Sequence, residues 1–172
     1  YQALAHDIIR NLNEEESSPL HGEIKVLGVG KGRVSQASLA DEMVDLFSNI
    51  EKLGGKERFK EFEQNGKRFF LNYFKAILAV FPKAWAGRKY SIKTGSALRA
   101  FIRVSPDVMA RSKALKKDAF DYFGIREGIK PCGDTIGDSR FETEGEWRQK
   151  LAGGTRGTVE LLTRELRDAM KA

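Results

Sequence analysis

The chain contains a single cysteine, Cys132, so it cannot close a disulfide on itself or build a cysteine-rich zinc site. That usage fits a reducing compartment. Nowhere do about 18 apolar residues run together, and the first residues lack the basic-then-apolar plan of a secretory signal. A membrane span is therefore not expected, and a cytoplasmic location is. Histidine is scarce as well: His6 and His21 stand apart with no cysteine or repeated carboxylate spacing to complete a ligand set. With 2 Trp and 4 Tyr against 11 Phe, the aromatics favour a ring without polar atoms, which suits a dry helical core better than a binding platform. No paired nucleophile and base is legible, so the reading leans away from an enzyme without excluding one, and no cofactor is expected. The chain also opens on Tyr1 rather than Met, which is read as an engineered start, a processed product or the surviving part of a longer chain.

What is present is an ordinary globular balance, 41% hydrophobic and 31% charged over 172 residues, enough for one compact core. Leu4, Ile8, Ile9 and Leu12 recur at helical spacing and predict a short helix over 3–12. Residues 23–27 read as a strand, followed by a glycine-rich turn, Gly28 to Gly32. Ser35 then reads as the hydroxyl cap of a helix running to about Phe47, with Leu39 and Met43 on its buried face. Gly54-Gly55 breaks the pattern. The longest helix follows from Lys56 until Pro82 stops it, and from Phe69 to Phe81 its apolar residues circle most of the surface, marking an enclosed segment. Gly66 inside it predicts either a close helix neighbour or a kink.

A helix over 96–104 buries Leu98, Phe101 and Ile102. Ser105-Pro106-Asp107 predicts a restart with a capping hydroxyl and a helix ending at Gly124. Residues 125–139, rich in glycine and proline, read as a long irregular loop, followed by helices over 141–151 and 158–170 with a Gly153-Gly154 break between them. The expected fold is mainly α, a compact helical domain around a long central helix with a minor strand or hairpin near the N-terminus. Residues 1–124 form the core domain, and the loop and helices of 125–172 pack on the same domain.

The charge is concentrated. Residues 1–55 hold 5 basic and 9 acidic side chains, residues 56–117 hold 16 basic ones against only Glu57, Glu61, Glu63 and Asp107, and residues 118–172 hold 9 and 11. Such a basic middle is the footprint of a phosphate-binding surface, since each neutralised phosphate releases a counterion. The plainer alternative is a solvated basic face. The candidate DNA contacts are Lys67, Arg68, Arg88, Lys89, Lys93, Arg99 and Arg103. Arg99 and Arg103 share a helix face at i and i+4 and are expected to point to solvent.

Gly28-Val29-Gly30-Lys31-Gly32-Arg33 invites comparison with phosphate loops but lacks the Gly-Lys-Ser/Thr triplet, so a structural turn is favoured. Lys31, Arg33 and the helix start at Ser35 remain a candidate site for one phosphate. Asp134, Asp138 and Glu142 recur every four residues and form a weak candidate for a cation. Cys132 reads as an inert thiol, and Lys75, alone among apolar neighbours, as a snorkelling or paired lysine with ligand contact as the rival.

The segments Ala3-Leu4-Ala5-His6-Asp7-Ile8-Ile9, Leu12-Asn13, Ser18-Pro19-Leu20-His21-Gly22-Glu23-Ile24 and Val34-Ser35-Gln36-Ala37-Ser38-Leu39 follow one another at suggestive spacing. Asn72-Tyr73-Phe74-Lys75-Ala76-Ile77 and Phe81-Pro82-Lys83-Ala84-Trp85 continue the series. Over residues 1–105 the chain resembles the C-terminal half of DGQHR-domain proteins, a family with DndB-like regulators associated with DNA phosphorothioation. The naming Asp-Gly-Gln-His-Arg motif is absent, so no chemistry carried by it transfers. The resemblance implies a helical C-terminal module of a DNA-associated protein, either cut from or encoded without a ParB-like N-terminal domain. Three readings result: a noncatalytic DNA-binding or DNA-modification-associated module, a helical interaction or dimerisation module that docks an acidic partner, or, least favoured, an enzyme using dispersed Asp and Glu residues with a metal.

Overall fold

No proline interrupts the sequence from Gln36 to Val80, and these residues form the longest element, helix α2 (Gln36–Val80). A computed structural model describes residues 1–25, 34–143 and 154–171. Helix α2 is bent at Gly55, whose backbone takes φ 81° and ψ 178°, a region that a residue with a Cβ avoids. The Gly54-Gly55 break is thus a kink joining two arms, 36–54 and 56–80.

Ahead of α2 lie α1 (Gln2–Glu14) and two strands, β1 (Ile24–Lys25) and β2 (Val34–Ser35). They pair in parallel, Ile24 opposite Val34 and Lys25 opposite Ser35. After α2 come α3 (Pro82–Ala86), α4 (Gly95–Arg103), α5 (Ser105–Ala114) and α6 (Tyr122–Thr135). A 3-10 turn at Asp138–Phe141 and α7 (Gly154–Lys171) complete the order. The fold is mainly helical around a long central helix, with a small parallel sheet near the N-terminus.

Phenylalanine builds the core, as a ring with no polar atom can. The second arm of α2 buries Phe62, Phe69, Phe70, Tyr73, Phe74 and Ile77, and Phe69 and Phe70 meet edge to face at 5.1 Å. Each fully buried Phe contributes about 1.5–3 kcal/mol. Helix α1 lays Ala5, Ile8, Ile9 and Leu12 against α2. A Cβ on Gly66 would sit 3.0 Å from Ile8 Cδ1, so this glycine marks the close approach of α1. The segment 69–81 is not enclosed all round: Leu78 and Ala79 are exposed and Leu71 and Lys75 half-buried. Pro82 ends α2 and at once opens α3, because the first helical turn has no use for its missing N–H.

Three sequence expectations fail for identifiable reasons. Residues 125–139 are not an irregular loop, since α6 runs through Pro131 to Thr135. Its glycines serve packing: a Cβ on Gly124, Gly128 or Gly133 would fall 1.9, 2.7 or 2.8 Å from the carbonyl oxygens of Asp118, Val108 and Val80. Close seating on α5 and the end of α2 therefore outweighs the low helix propensity of glycine, about 1 kcal/mol per residue. Helix α5 ends at Ala114, well before Gly124, where Lys116 turns the chain at φ 60°. Ser105 is not the cap of α5; its Oγ donates to the Ile102 carbonyl at 2.7 Å, and Val104 occupies the cap position.

Helix α7 buries Val159, Leu162, Leu166 and Ala169 and packs against α4 and α6. The buried Arg140 pairs with Glu165 at 2.6 Å, tying the 3-10 turn to α7. One hydrophobic cluster includes residues from Ala5 to Ala169, on both sides of position 124. Of the helix expected over 141–151, Phe141 ends the 3-10 turn, Glu142 forms a bridge to Tyr90 instead of continuing a helix, and residues 144–151 lie outside the described residues. Among the described residues no helix is long and apolar enough to cross a membrane.

Candidate functional site

Arg99 and Arg103 come to one face of α4, as their spacing dictates, but that face looks onto α2. Between them lies Glu42, whose side chain is only 4% exposed. Arg103 donates through Nε and Nη2 to the two oxygens of Glu42, at 3.2 and 2.8 Å, and Arg99 Nε lies 3.4 Å from Oε1. Hydrogen bonding to Glu42 raises the Arg103 pKa above its ordinary value against the opposing effect of burial. The expectation that both arginines face solvent is corrected: they neutralise a buried carboxylate and bind α4 to the first arm of α2.

The other predicted contacts divide in two. Arg68 pairs with Asp118 at 3.5 Å, and Lys93 pairs with Glu23 at 3.6 Å while its ammonium lies 5.8 Å from the Trp85 ring centroid. Lys67, Arg88 and Lys89 are exposed and form no ion pair among the described residues. Lys67 lies on the second arm of α2, whereas Arg88 and Lys89 lie beyond α3, flanking a shallow hollow with Tyr90 and Glu142. At 1.5 Å per residue the helix alone carries the chain about 20 Å from Lys67 to Val80, so the seven residues do not form one compact patch.

The basic middle nonetheless stays basic. Of its 16 cations, Arg68, Lys93, Arg99 and Arg103 are in ion pairs, and Arg111 donates to the Glu127 and Gly128 carbonyls. The remainder form no ion pair among the described residues, while Asp107, one of four local acids, pairs with Arg167 at 3.1 Å. Lys56, Lys60 and Lys67 are all exposed. At 100° per residue they fall within about 40° of one another on the second arm, spread over about 17 Å, with Glu63 among them.

A feature that periodicity did not reveal is a cleft of about 180 Å³ beside the Gly55 kink, between α2 and α5. Ile50, Leu53, Phe62, Pro106, Met109 and Phe120 supply apolar lining, and Arg58, Lys113 and Glu61 the charged lining. Leu53 is 91% exposed, which is unusual for a leucine beside an apolar hollow.

Lys31 and Arg33 lie outside the described residues, so the phosphate-loop idea meets the structure only at Ser35. Ser35 occupies the cap position of α2, but its hydroxyl makes no capping bond. His6 Nδ1 and Gln36 Nε2 lie 2.9 Å apart, and His21 is exposed. Asp138 is engaged in accepting from Ala84 N–H at 2.7 Å, and among the described residues no three potential metal ligands gather. Cys132 is buried, its thiol donates to the Leu166 carbonyl at 3.5 Å, and burial pushes its pKa up to about 12. Lys75 is half-buried and forms no ion pair among the described residues. Tyr73, fully buried, donates to the Phe101 carbonyl, and burial raises its pKa well above the usual value.

No family model, no curated protein and no solved structure matches the chain.

Proposed function

We propose that the chain is a noncatalytic module that binds the phosphate backbone of DNA through the exposed cations of residues 56–117. The observation that carries this reading is the unpaired positive excess. After every ion pair is counted, Lys56, Lys60, Lys67, Arg88 and Lys89 remain exposed without a carboxylate partner among the described residues. Such side chains lower the free energy of a nearby polyanion mainly by releasing its condensed counterions, with no need for a shaped pocket. The resemblance read from the motifs of residues 1–105 implies the same choice of polyanion, although no family model matches the chain. Lys93, Arg99, Arg103 and Arg68 are left out of the contact set, because each already serves a carboxylate.

Backbone contacts position a protein without reading bases, so binding is expected to be insensitive to sequence. The test is titration of fluorescently labelled duplexes of unrelated sequence with the chain and with a Lys56→Gln, Lys60→Gln, Lys67→Gln variant. The variant is expected to weaken binding equally for every duplex and to flatten the salt dependence by about 0.9 in logarithmic slope for each phosphate no longer neutralised. Unchanged affinity and slope in a folded variant would remove the lysine stripe from the interface.

A further inference from the structure

We infer that the cleft beside the Gly55 kink is a docking site for a second protein, and that its occupant is a short amphipathic helix with an apolar anchor and acidic flanks. The nucleic-acid reading is not needed for this: the cleft shares the cations Arg58 and Lys113 with the basic middle but adds apolar lining that a phosphate backbone cannot use.

Three observations fix the chemistry of the occupant. First, Phe62, Met109 and Phe120 make the lining apolar, and Leu53 stands almost wholly exposed beside them. A side chain entering here removes apolar surface from water on both partners, as the central anchors of interfaces do. Second, about 180 Å³ is below the range of about 300–1,000 Å³ typical of small-molecule sites, so the cleft suits one or two side chains better than a free ligand. Third, the charged lining is basic: Arg58 and Lys113 line the cleft against Glu61, and Lys116 and Lys117 follow at the exposed end of α5 without ion pairs among the described residues. Apolar lining with a cationic rim is complementary to an apolar stripe flanked by Asp and Glu. An amphipathic helix presents that pattern at i, i+3 or i+4 spacing and docks by this mode in hydrophobic grooves generally.

The kink lies at the cleft: the non-helical Gly55 separates Ile50, Leu53 and Gly54 of the first arm from Arg58, Glu61 and Phe62 of the second, and both groups line the cleft together with Met109 and Phe120.

The probe is a synthetic helix-forming peptide with leucines at i and i+4 and glutamates on its remaining faces. It is compared with the same peptide carrying lysine for glutamate and with one carrying alanine for leucine. Calorimetry on the full chain is expected to detect the acidic peptide and neither control. Leu53→Asp and Lys113→Glu are each expected to weaken it by about tenfold or more. Both positions are exposed, and circular dichroism of each variant reports whether the fold is kept; should one unfold, the other decides. Failure of the acidic peptide to bind at about 1 mM, or equal binding of the lysine peptide, overturns the proposal. So does self-association of the chain alone, by sedimentation, that Leu53→Asp abolishes, since the occupant is then a second copy. Loss of peptide binding with duplex binding retained, in Leu53→Asp, separates this site from the lysine stripe.

Discussion

Replacing Arg99 and Arg103 together by Ala is expected to destabilise the chain, although both are arginines on a helix face and neither lies in the hydrophobic cluster. The carboxylate of Glu42 is the reason. At 4% side-chain exposure it has little access to water, and its Oε1 accepts from Arg103 Nη2 at 2.8 Å and lies 3.4 Å from Arg99 Nε, which makes no hydrogen bond among the described residues. Breaking a fully buried pair by deleting one side of it costs about 3–5 kcal/mol, because an uncompensated charge stays behind. Here Arg99 and Arg103 keep 28% and 32% of their side-chain surface exposed, so water enters the vacated volume and the cost falls to about 2–3 kcal/mol. Arg99→Ala alone is expected to cost under about 1 kcal/mol, as Arg103 retains its two-point contact with the carboxylate. Urea denaturation at neutral pH measures each difference. Adding Glu42→Met to the double variant is expected to recover most of the loss, since exchanging a buried ionic cluster for apolar volume is often neutral or stabilising. A double variant within about 0.5 kcal/mol of the parent, or a triple variant less stable than the double, would show that Glu42 does not depend on the two arginines.

Phe74→Ala, at a side chain buried at the centre of the second arm, is expected to cost about 3–5 kcal/mol in the same denaturation assay. Gly55→Ala is expected to cost about 1–3 kcal/mol, because φ 81° with ψ 178° is tolerated essentially by glycine alone, even though no atom lies within 4 Å of the added Cβ. Cys132 titrates at about pH 8.5 when unfolded and at about 12 when buried, so above about pH 8.5 the unfolded chain loses a proton that the folded chain keeps. Its contribution is therefore fully present below about pH 8.5 and declines by about 1.4 kcal/mol per pH unit above it; denaturation between about pH 8.5 and 10 should show this slope, and Cys132→Ala should lack it.

The helical class, the central helix and its stopping point at Pro82 are legible because they rest on local periodicity and on punctuation by proline and glycine. What failed was decided by tertiary contact. Gly124, Gly128 and Gly133 read as breakers, yet they are the positions where a backbone seats against α6. Arg99 and Arg103 read as a solvent face because their spacing fixes that they share a side of α4 and leaves open what the side faces. A signal was available one helix earlier: Glu42 stands between Leu39, Met43 and Leu46, on the buried face of α2, and an acid there requires cations from elsewhere. The cleft left no such trace, since its lining comes from α2, α5 and Phe120, which are distant in sequence and meet only in the folded chain.

The decisive measurement is the affinity of the chain for duplexes of unrelated sequence as salt is raised from about 50 to 200 mM. If the unpaired cations of residues 56–117 meet a phosphate backbone, affinity falls with a logarithmic slope of about −3 or steeper, the same for every duplex, reflecting about three or more phosphates at −0.9 each. No binding at about 50 mM salt, or binding that hardly changes with salt, would rule out a phosphate-backbone role for the basic middle.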